Sequence, residues 1–223
     1  MERESSLRER LIDVGVDLVM TDGAAALGLR EIARRAGVSH GAPRRYFPTH
    51  HTLLSAIARR GFTDLGARFE AATEDEASPR DQLQALARTY LRYALEHRGM
   101  FDLMFSHELL DSEAHASDPP RLRESSLPLF AHVVELVTRH LEERTVSGPD
   151  VPHDAVTLPA VTAAALWTNL HGVAQLWAWG SLPLVMDAAS AGTAPVGDPL
   201  DPLGPLDRLV VVVLDAHLGP VNT

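Results

Sequence analysis

The stretch LGLREIARRAGVSHGAPRRYFPTHHTLL, Leu27 to Leu54, constrains the fold more than any other part of the chain. It sets two helix-forming runs, each too short to be stable alone, on either side of a Gly37-Val38-Ser39 corner. Leu29, Ile32, Ala33 and Ala36 recur at helical spacing with Arg30, Glu31, Arg34 and Arg35 between them, which predicts a one-faced helix over about Leu29 to Ala36. Gly37 supplies the positive φ of a tight turn and Val38 an apolar anchor under it. Ser39 is placed to cap a third helix of little more than two turns, ending near Phe47. Two short helices at a steep angle, with the small Ala33 where they approach, let one brace across a DNA backbone while the other enters the major groove. Arg44 and Arg45 then point away from a core of Ile32, Val38 and Phe47. Arginines on a short helix are often only a solvated face; the frame around these makes them DNA-facing.

The rest of the chain reads as helices too. Ser6 and Glu9 form a capping box ahead of Leu7, Leu11, Val14 and Leu18, and Gly23 stops that first helix. Thr49 caps a long helix bearing Leu53, Leu54, Ile57, Ala58, Phe62, Leu65 and Phe69. The polar stretch Ala72 to Ser78 is a domain boundary, and Ser78-Pro79 opens a helix through Leu83, Leu86, Ala87, Tyr90, Leu91 and Ala94 that stops at His97-Arg98-Gly99. Further helices are predicted over about Met100 to Leu110, from Pro119-Pro120 to Gly148-Pro149, and from about Asp154 to Gly180. The last is almost uncharged and so is expected to be buried on several sides. Asp187 to Pro205 reads as a loop. Leu206 to Leu218 is a helix despite the Val210 to Val213 run, because a lone strand would have no partner. The fold class is all-α: a helix-turn-helix domain at 1–48, a connecting helix at 49–72, and a larger helical domain at 73–223.

Composition narrows the function. The chain has no cysteine, which excludes disulfides, thiolate catalysis and Cys-based zinc sites. No apolar run is long enough for a membrane span, and MERESSLRER has no secretory apolar core, so the expected setting is the cytoplasm and not a membrane. The net charge of −10 argues against a polyanion partner until its distribution is seen. The first sixty residues carry ten Arg against seven acids, and all the remaining excess is acidic. A basic head on an acidic body fits a DNA reader with a separate second domain. No nucleophile elbow, P-loop or paired-carboxylate frame is visible, so no enzyme and no cofactor are expected.

Ile32-Ala33, Ala36-Gly37-Val38-Ser39, Gly41 and Tyr46-Phe47 resemble, in spacing and identity, the signature of the tetracycline-repressor (TetR) family. The resemblance covers about 45 residues, Leu11 to Ile57. Leu166-Trp167 with Leu170-His171-Gly172-Val173-Ala174 is similar to the Trp, His-Gly pattern of the C-terminal domain in one TetR subgroup. Three positions depart from the pattern. Pro43-Arg44 stands where the family usually has Leu-Tyr, His50 where it often has lysine, and Gly28 where Ser or Thr often caps the second helix.

The resemblance implies a ligand-responsive transcriptional regulator, a repressor that binds a palindromic operator in double-stranded DNA as a homodimer. The last two long helices would form a four-helix bundle between protomers. The residues expected at DNA are Arg30, Ser39, His40, Gly41, Ala42, Arg44, Arg45, Tyr46, Thr49 and His50, with Arg44 or Arg45 on guanine and Thr49 and His50 at a phosphate. For Trp167, Leu170, His171 and Ala174, which share a helix face, two readings stand: a packed core with one hydrogen-bonded histidine, or the wall of a pocket for an apolar or aromatic effector. In the second, Phe101, Met104, Phe105, Phe130 and Val133 line the rest. His107, Asp111 and His115 recur every four residues, which on a continuous helix would put three potential metal ligands on one face, but with no fourth ligand or HExxH-type motif beside them solvated surface is the expected reading. The alternatives are a metal- or pH-sensing regulator using histidines, and a protein–protein adaptor with a vestigial helix-turn-helix.

Overall fold

The structure, a computed structural model, describes residues 2–106, 122–146, 158–190 and 204–220, and every regular element among these is helical. In chain order the helices are α1 (Glu2–Asp22), α2 (Leu29–Arg35), α3 (His50–Thr73), α4 (Pro79–Glu96), α5 (Arg98–Met104), α6 (Leu122–Val146), α7 (Pro159–Ala178), α8 (Ser181–Ser190) and α9 (Pro205–Leu218). Short 3-10 turns stand at Ala24–Ala26 and Pro43–Arg45. The chain folds into two compact units: Met1–Ala67 with Glu96–Pro128, and Arg68–Leu95 with Leu129–Thr223.

In the first unit Leu11, Leu18, Ile32, Ala33, Leu53 and Ile57 are sealed from solvent, and Phe47 joins them. Removing such side chains from water is the main force holding short helices that could not persist alone. Helix α1 starts at Glu2 and not at Ser6, because Glu2, Arg3 and Glu4 are good helix formers and nothing stops the helix there. Glu9 accordingly makes no capping box. It accepts hydrogen bonds from Arg8 (2.9 Å) and from Arg60 on α3 (2.8 Å). The His97-Arg98-Gly99 terminator is also corrected, since α4 ends at Glu96 and Gly99 lies inside α5. A Cβ at residue 99 would stand 2.4 Å from the Val19 carbonyl oxygen and 3.1 Å from Gly23 Cα, so glycine is there to let α5 lie directly on the end of α1. Helix α5 ends at Met104, short of the predicted Leu110, which lies outside the described residues.

In the second unit α4 buries the predicted stripe of Leu83, Leu86, Ala87, Tyr90, Leu91 and Ala94. Its N-terminus is capped by Ser78, whose hydroxyl accepts the Asp81 amide (3.1 Å) and donates to the Asp81 carboxylate (2.6 Å). The valine run is helical in α9, where Val210, Leu214 and Leu218 are buried at i, i+4, i+8 spacing and the helix packs on α7. Arg80 pairs with Asp215 and Arg88 with Asp207 (3.2 Å), equal steps in opposite directions that fix α4 and α9 antiparallel. Arg80 also donates to the Gly219 carbonyl (2.8 Å), while His140 and Arg144 of α6 donate to the Leu218 carbonyl. These donors, two of them arginines, meet carbonyls that the end of a helix leaves without intrahelical partners. Burial pushes the His140 imidazole below its ordinary pKa.

Helix α7 buries Thr162, Ala163, Leu166, Leu170 and Ala174 but leaves Leu158, Val161, Leu176 and Trp179 exposed. The expected burial on several sides is therefore not met within one protomer. Of the predicted loop Asp187 to Pro205, residues 187–190 are the end of α8 and Pro205 is the first residue of α9, while 191–203 lie outside the described residues. No helix among the described residues is long and apolar enough to cross a membrane.

Candidate nucleic-acid interface

The corner after α2 is closed by backbone bonds. The Gly37 amide donates to the Arg34 carbonyl (3.2 Å) and the Val38 amide to the Ala33 carbonyl (3.0 Å), the pair of bonds that ends a helix on a left-handed residue. Gly37 takes φ 66°, a left-handed value that residues with a side chain rarely adopt and glycine takes freely. Val38 is half-buried under the turn, while Ile32 and Ala33 are fully buried.

The third element is not the helix predicted over Ser39 to Phe47. Residues 40–42 form turns and Pro43–Arg45 a single 3-10 turn. The reason is Pro43, which has no amide hydrogen to offer the Ser39 carbonyl and whose ring crowds that carbonyl in an α-helix. The Ser39 carbonyl instead takes the Ala42 amide (2.9 Å), and the amides of Arg45 and Tyr46 donate to Ala42 (3.2 Å) and Pro43 (3.0 Å). With no regular helix to begin, the Ser39 hydroxyl makes no cap. The segment is still coiled and outward-facing: Ser39, His40, Gly41, Arg44 and Arg45 are exposed, Ala42 and Tyr46 half-buried, and Pro43 and Phe47 buried as its footing.

Beyond Phe47 the start of α3 is capped as predicted, and reciprocally: Thr49 Oγ1 accepts the Thr52 amide (3.1 Å) and Thr52 Oγ1 accepts the Thr49 amide (3.3 Å). The His50 ring donates from Nε2 to the Leu27 carbonyl (2.5 Å). Both residues expected at a phosphate thus already hold partners within the unit. The arginines divide as well. Glu31 accepts two bonds from Arg34 (2.8 and 2.5 Å) and one from Arg35 (2.8 Å), and Arg35 reaches Asp22 at the end of α1 (2.6 Å). Hydrogen bonds from Arg34 and then Arg35 pull the Glu31 carboxyl down to about 2. Arg30, Arg44 and Arg45 are exposed and make no ion pair or hydrogen bond among the described residues.

In the second unit Trp167, His171 and Phe130 come together around a residue that sequence reading treated only as core, Tyr90. Trp167 Nε1 donates to the Tyr90 hydroxyl (3.2 Å), which lies 2.8 Å from His171 Nδ1. Burial pushes the Tyr90 phenol well above its ordinary pKa, so it stays protonated and keeps a hydrogen to donate. Phe130 meets Trp167 edge-on at 6.4 Å, Val133 is half-buried, and Leu170 and Ala174 are buried beside them. Phe101, Met104 and Phe105 lie in the first unit, where Phe105 packs edge-on against Phe62 (5.5 Å) and at a tilt against Phe101 (4.8 Å). His107, Asp111 and His115 lie outside the described residues, and among those described no three acidic or histidine side chains cluster as metal ligands.

Two family profiles match this architecture. The one described as "Bacterial regulatory proteins, tetR family" covers residues 11–57, and "Tetracyclin repressor-like, C-terminal domain" covers residues 83–194, half of the chain. The chain belongs to the TetR family. That is a family of transcriptional regulators and not of enzymes. Among curated TetR-type relatives, the chain is 34% identical to "HTH-type transcriptional regulator BetI" of Rhizobium meliloti over 85 residues, 38% of this chain and 42% of that protein. It is 27% identical to "Nucleoid occlusion factor SlmA" of Actinobacillus pleuropneumoniae over 109 residues, 49% of this chain and 52% of that one. The chain thus spans about half the length of the curated relatives it matches. Among solved structures, a protein of unknown function from Rhodococcus sp. RHA1 superposes with TM-score 0.65 at 29% identity, covering 95% of this chain and 93% of that one.

For a TetR-family chain, what sequence reading missed is long-range. The His50 to Leu27 bond and the Arg35 to Asp22 pair join residues 23 and 13 apart, which no helical spacing announces. Tyr90 did carry a signal, because a buried phenol needs a hydrogen-bond partner.

Proposed function

We propose that this TetR-family chain is a cytoplasmic, ligand-responsive repressor that reads a palindromic operator as a homodimer. Residues 1–48 would be the DNA-binding domain, 49–72 the connecting helix and 73–223 the effector and dimer domain. The observation that carries the reading is the exposed turn bearing Arg44 and Arg45. Both guanidinium groups lack a protein partner among the described residues, while their neighbours Arg34 and Arg35 are paired with Glu31 and Asp22. Arg44 or Arg45 takes a guanine edge in the major groove, and Arg30 takes backbone phosphate. The exposed apolar residues Val161 and Trp179 of α7 and Val212 of α9 support a two-fold interface that would complete the burial of these helices.

The effector is an apolar or aromatic molecule at Phe130, Trp167 and His171, whose orientation Tyr90 fixes. A solved TetR-like structure of RolR with resorcinol, 16% identical with TM-score 0.61 over 97% of this chain and 88% of that one, holds an aromatic ligand on the same fold. The effector releases DNA by binding the DNA-incompetent dimer more tightly than the competent one. The test is gel-shift titration on DNA selected by the purified protein. Arg44→Ala and Arg45→Ala each weaken binding by about 1 to 3 kcal/mol where the arginine meets a base, whereas Arg34→Ala leaves affinity nearly unchanged. Equal affinity for all four proteins would contradict the reading.

A further inference from the structure

Pro43 leaves the recognition turn four backbone bonds, from the amides of Ala42 to Ser39, Arg45 to Ala42, and Tyr46 and Phe47 to Pro43, where a regular helix over Ser39 to Phe47 would carry a continuous ladder. Its orientation therefore depends on how its two ends are fastened. The near end is fixed by the Gly37-Val38 corner. The far end runs through Phe47 into the Thr49 cap of α3, and there the His50 ring donates from Nε2 to the carbonyl of Leu27. Leu27 is the buried residue just before α2, and His50 the first residue of α3. One side chain thus joins the entry of the helix-turn-helix to its exit, closing a 23-residue span around the recognition turn.

We infer that His50 is a positioning residue for DNA reading: its ring is a strut that holds the recognition turn in register, and not a phosphate contact. This role presupposes that the turn reads DNA. The chemistry distinguishes a strut from a phosphate contact. A strut needs a hydrogen on Nε2 alone, which the neutral ring supplies, whereas a phosphate contact needs positive charge or a donor aimed outward. Glutamine places an N–H donor near the imidazole Nε2 position, and asparagine near Nδ1. Glutamine is therefore the conservative variant that should restore the strut.

The experiment compares wild type, His50→Ala, His50→Asn and His50→Gln on selected operator DNA and on random DNA, across a range of salt, with melting temperatures recorded alongside. His50→Ala and His50→Asn should lose about three- to tenfold in operator affinity, the worth of one hydrogen bond, with the salt slope and random-DNA affinity unchanged. His50→Gln should recover most of the loss. Imidazole nitrogen NMR of the wild type should report a ring protonated on Nε2, which needs no variant to fold. The inference is overturned by a salt slope shallower by about 0.9 in His50→Ala, the mark of a lost phosphate contact, or by equal affinities of His50→Ala and wild type. A ring protonated only on Nδ1 also overturns it. The double variant Arg44→Ala, Arg45→Ala, run in parallel, separates the two claims: if it too binds operator like wild type, the DNA-reading role of the turn has failed and not the strut alone.

Discussion

Five arginines lie on or beside the helix-turn-helix, and their partners sort them into two groups. Arg34 and Arg35 share the Glu31 carboxylate, and Arg35 extends the network to Asp22, so this cluster ties α2 to the end of α1. Arg30, Arg44 and Arg45 have no such partner among the described residues and are the cations proposed to meet DNA. The cluster has a pH signature. Its two arginines hold the folded-state pKa of Glu31 at about 2, below the ordinary 4.5, so its contribution to stability is complete above the ordinary value and disappears as pH falls from there through about 2. Glu31→Gln should therefore melt at a lower temperature than wild type at pH 6, by a small margin because the pair is exposed. The two melting curves should converge as pH is lowered through that window. A gap that stays constant across the window, followed by circular dichroism, would show that Glu31 owes its effect to something other than charge.

At the scale of elements, the helices with long apolar stripes were legible in the sequence, and the recognition element was not. Helix α3 begins at its Thr49 cap, α4 at Ser78-Pro79, and α9 forms through a valine run because Val210, Leu214 and Leu218 bury together on α7. Ser39 to Phe47 carries the frame of a helix, but Pro43 lacks the amide that would bond to the Ser39 carbonyl. Gly99 misled for a related reason: a basic pair followed by glycine looks like a helix end, but only coordinates show that the Val19 carbonyl leaves no room for a side chain there. Of the expected DNA-facing residues, exposure at Ser39, His40, Gly41, Arg44 and Arg45 followed from the frame and the Thr49 cap from local spacing, whereas the bond of His50 to Leu27 lies outside any local pattern. Pro43→Ala tests the account of the recognition element. It restores the missing amide donor, so residue 43 should bond to the Ser39 carbonyl and its amide should be protected from hydrogen exchange. Free exchange at residue 43 would show that something other than the proline prevents helix formation.

At the scale of the molecule, the protomer is unfinished in two respects. Helices α7 and α9 leave Val161, Trp179 and Val212 exposed, and a single recognition turn spans only part of a groove. The proposed two-fold dimer would complete both, covering the apolar faces and presenting two turns to half-sites about one helical turn apart. Methylation interference on the selected operator tests this most directly, because a methyl group on guanine N7 blocks an arginine that approaches through the major groove. The predicted pattern is one sensitive guanine in each half-site, the two related by the operator's two-fold axis, with both losing their sensitivity in Arg44→Ala or in Arg45→Ala. A pattern with no sensitive guanine, or one unchanged when both arginines are replaced, would contradict the claim that this turn reads DNA.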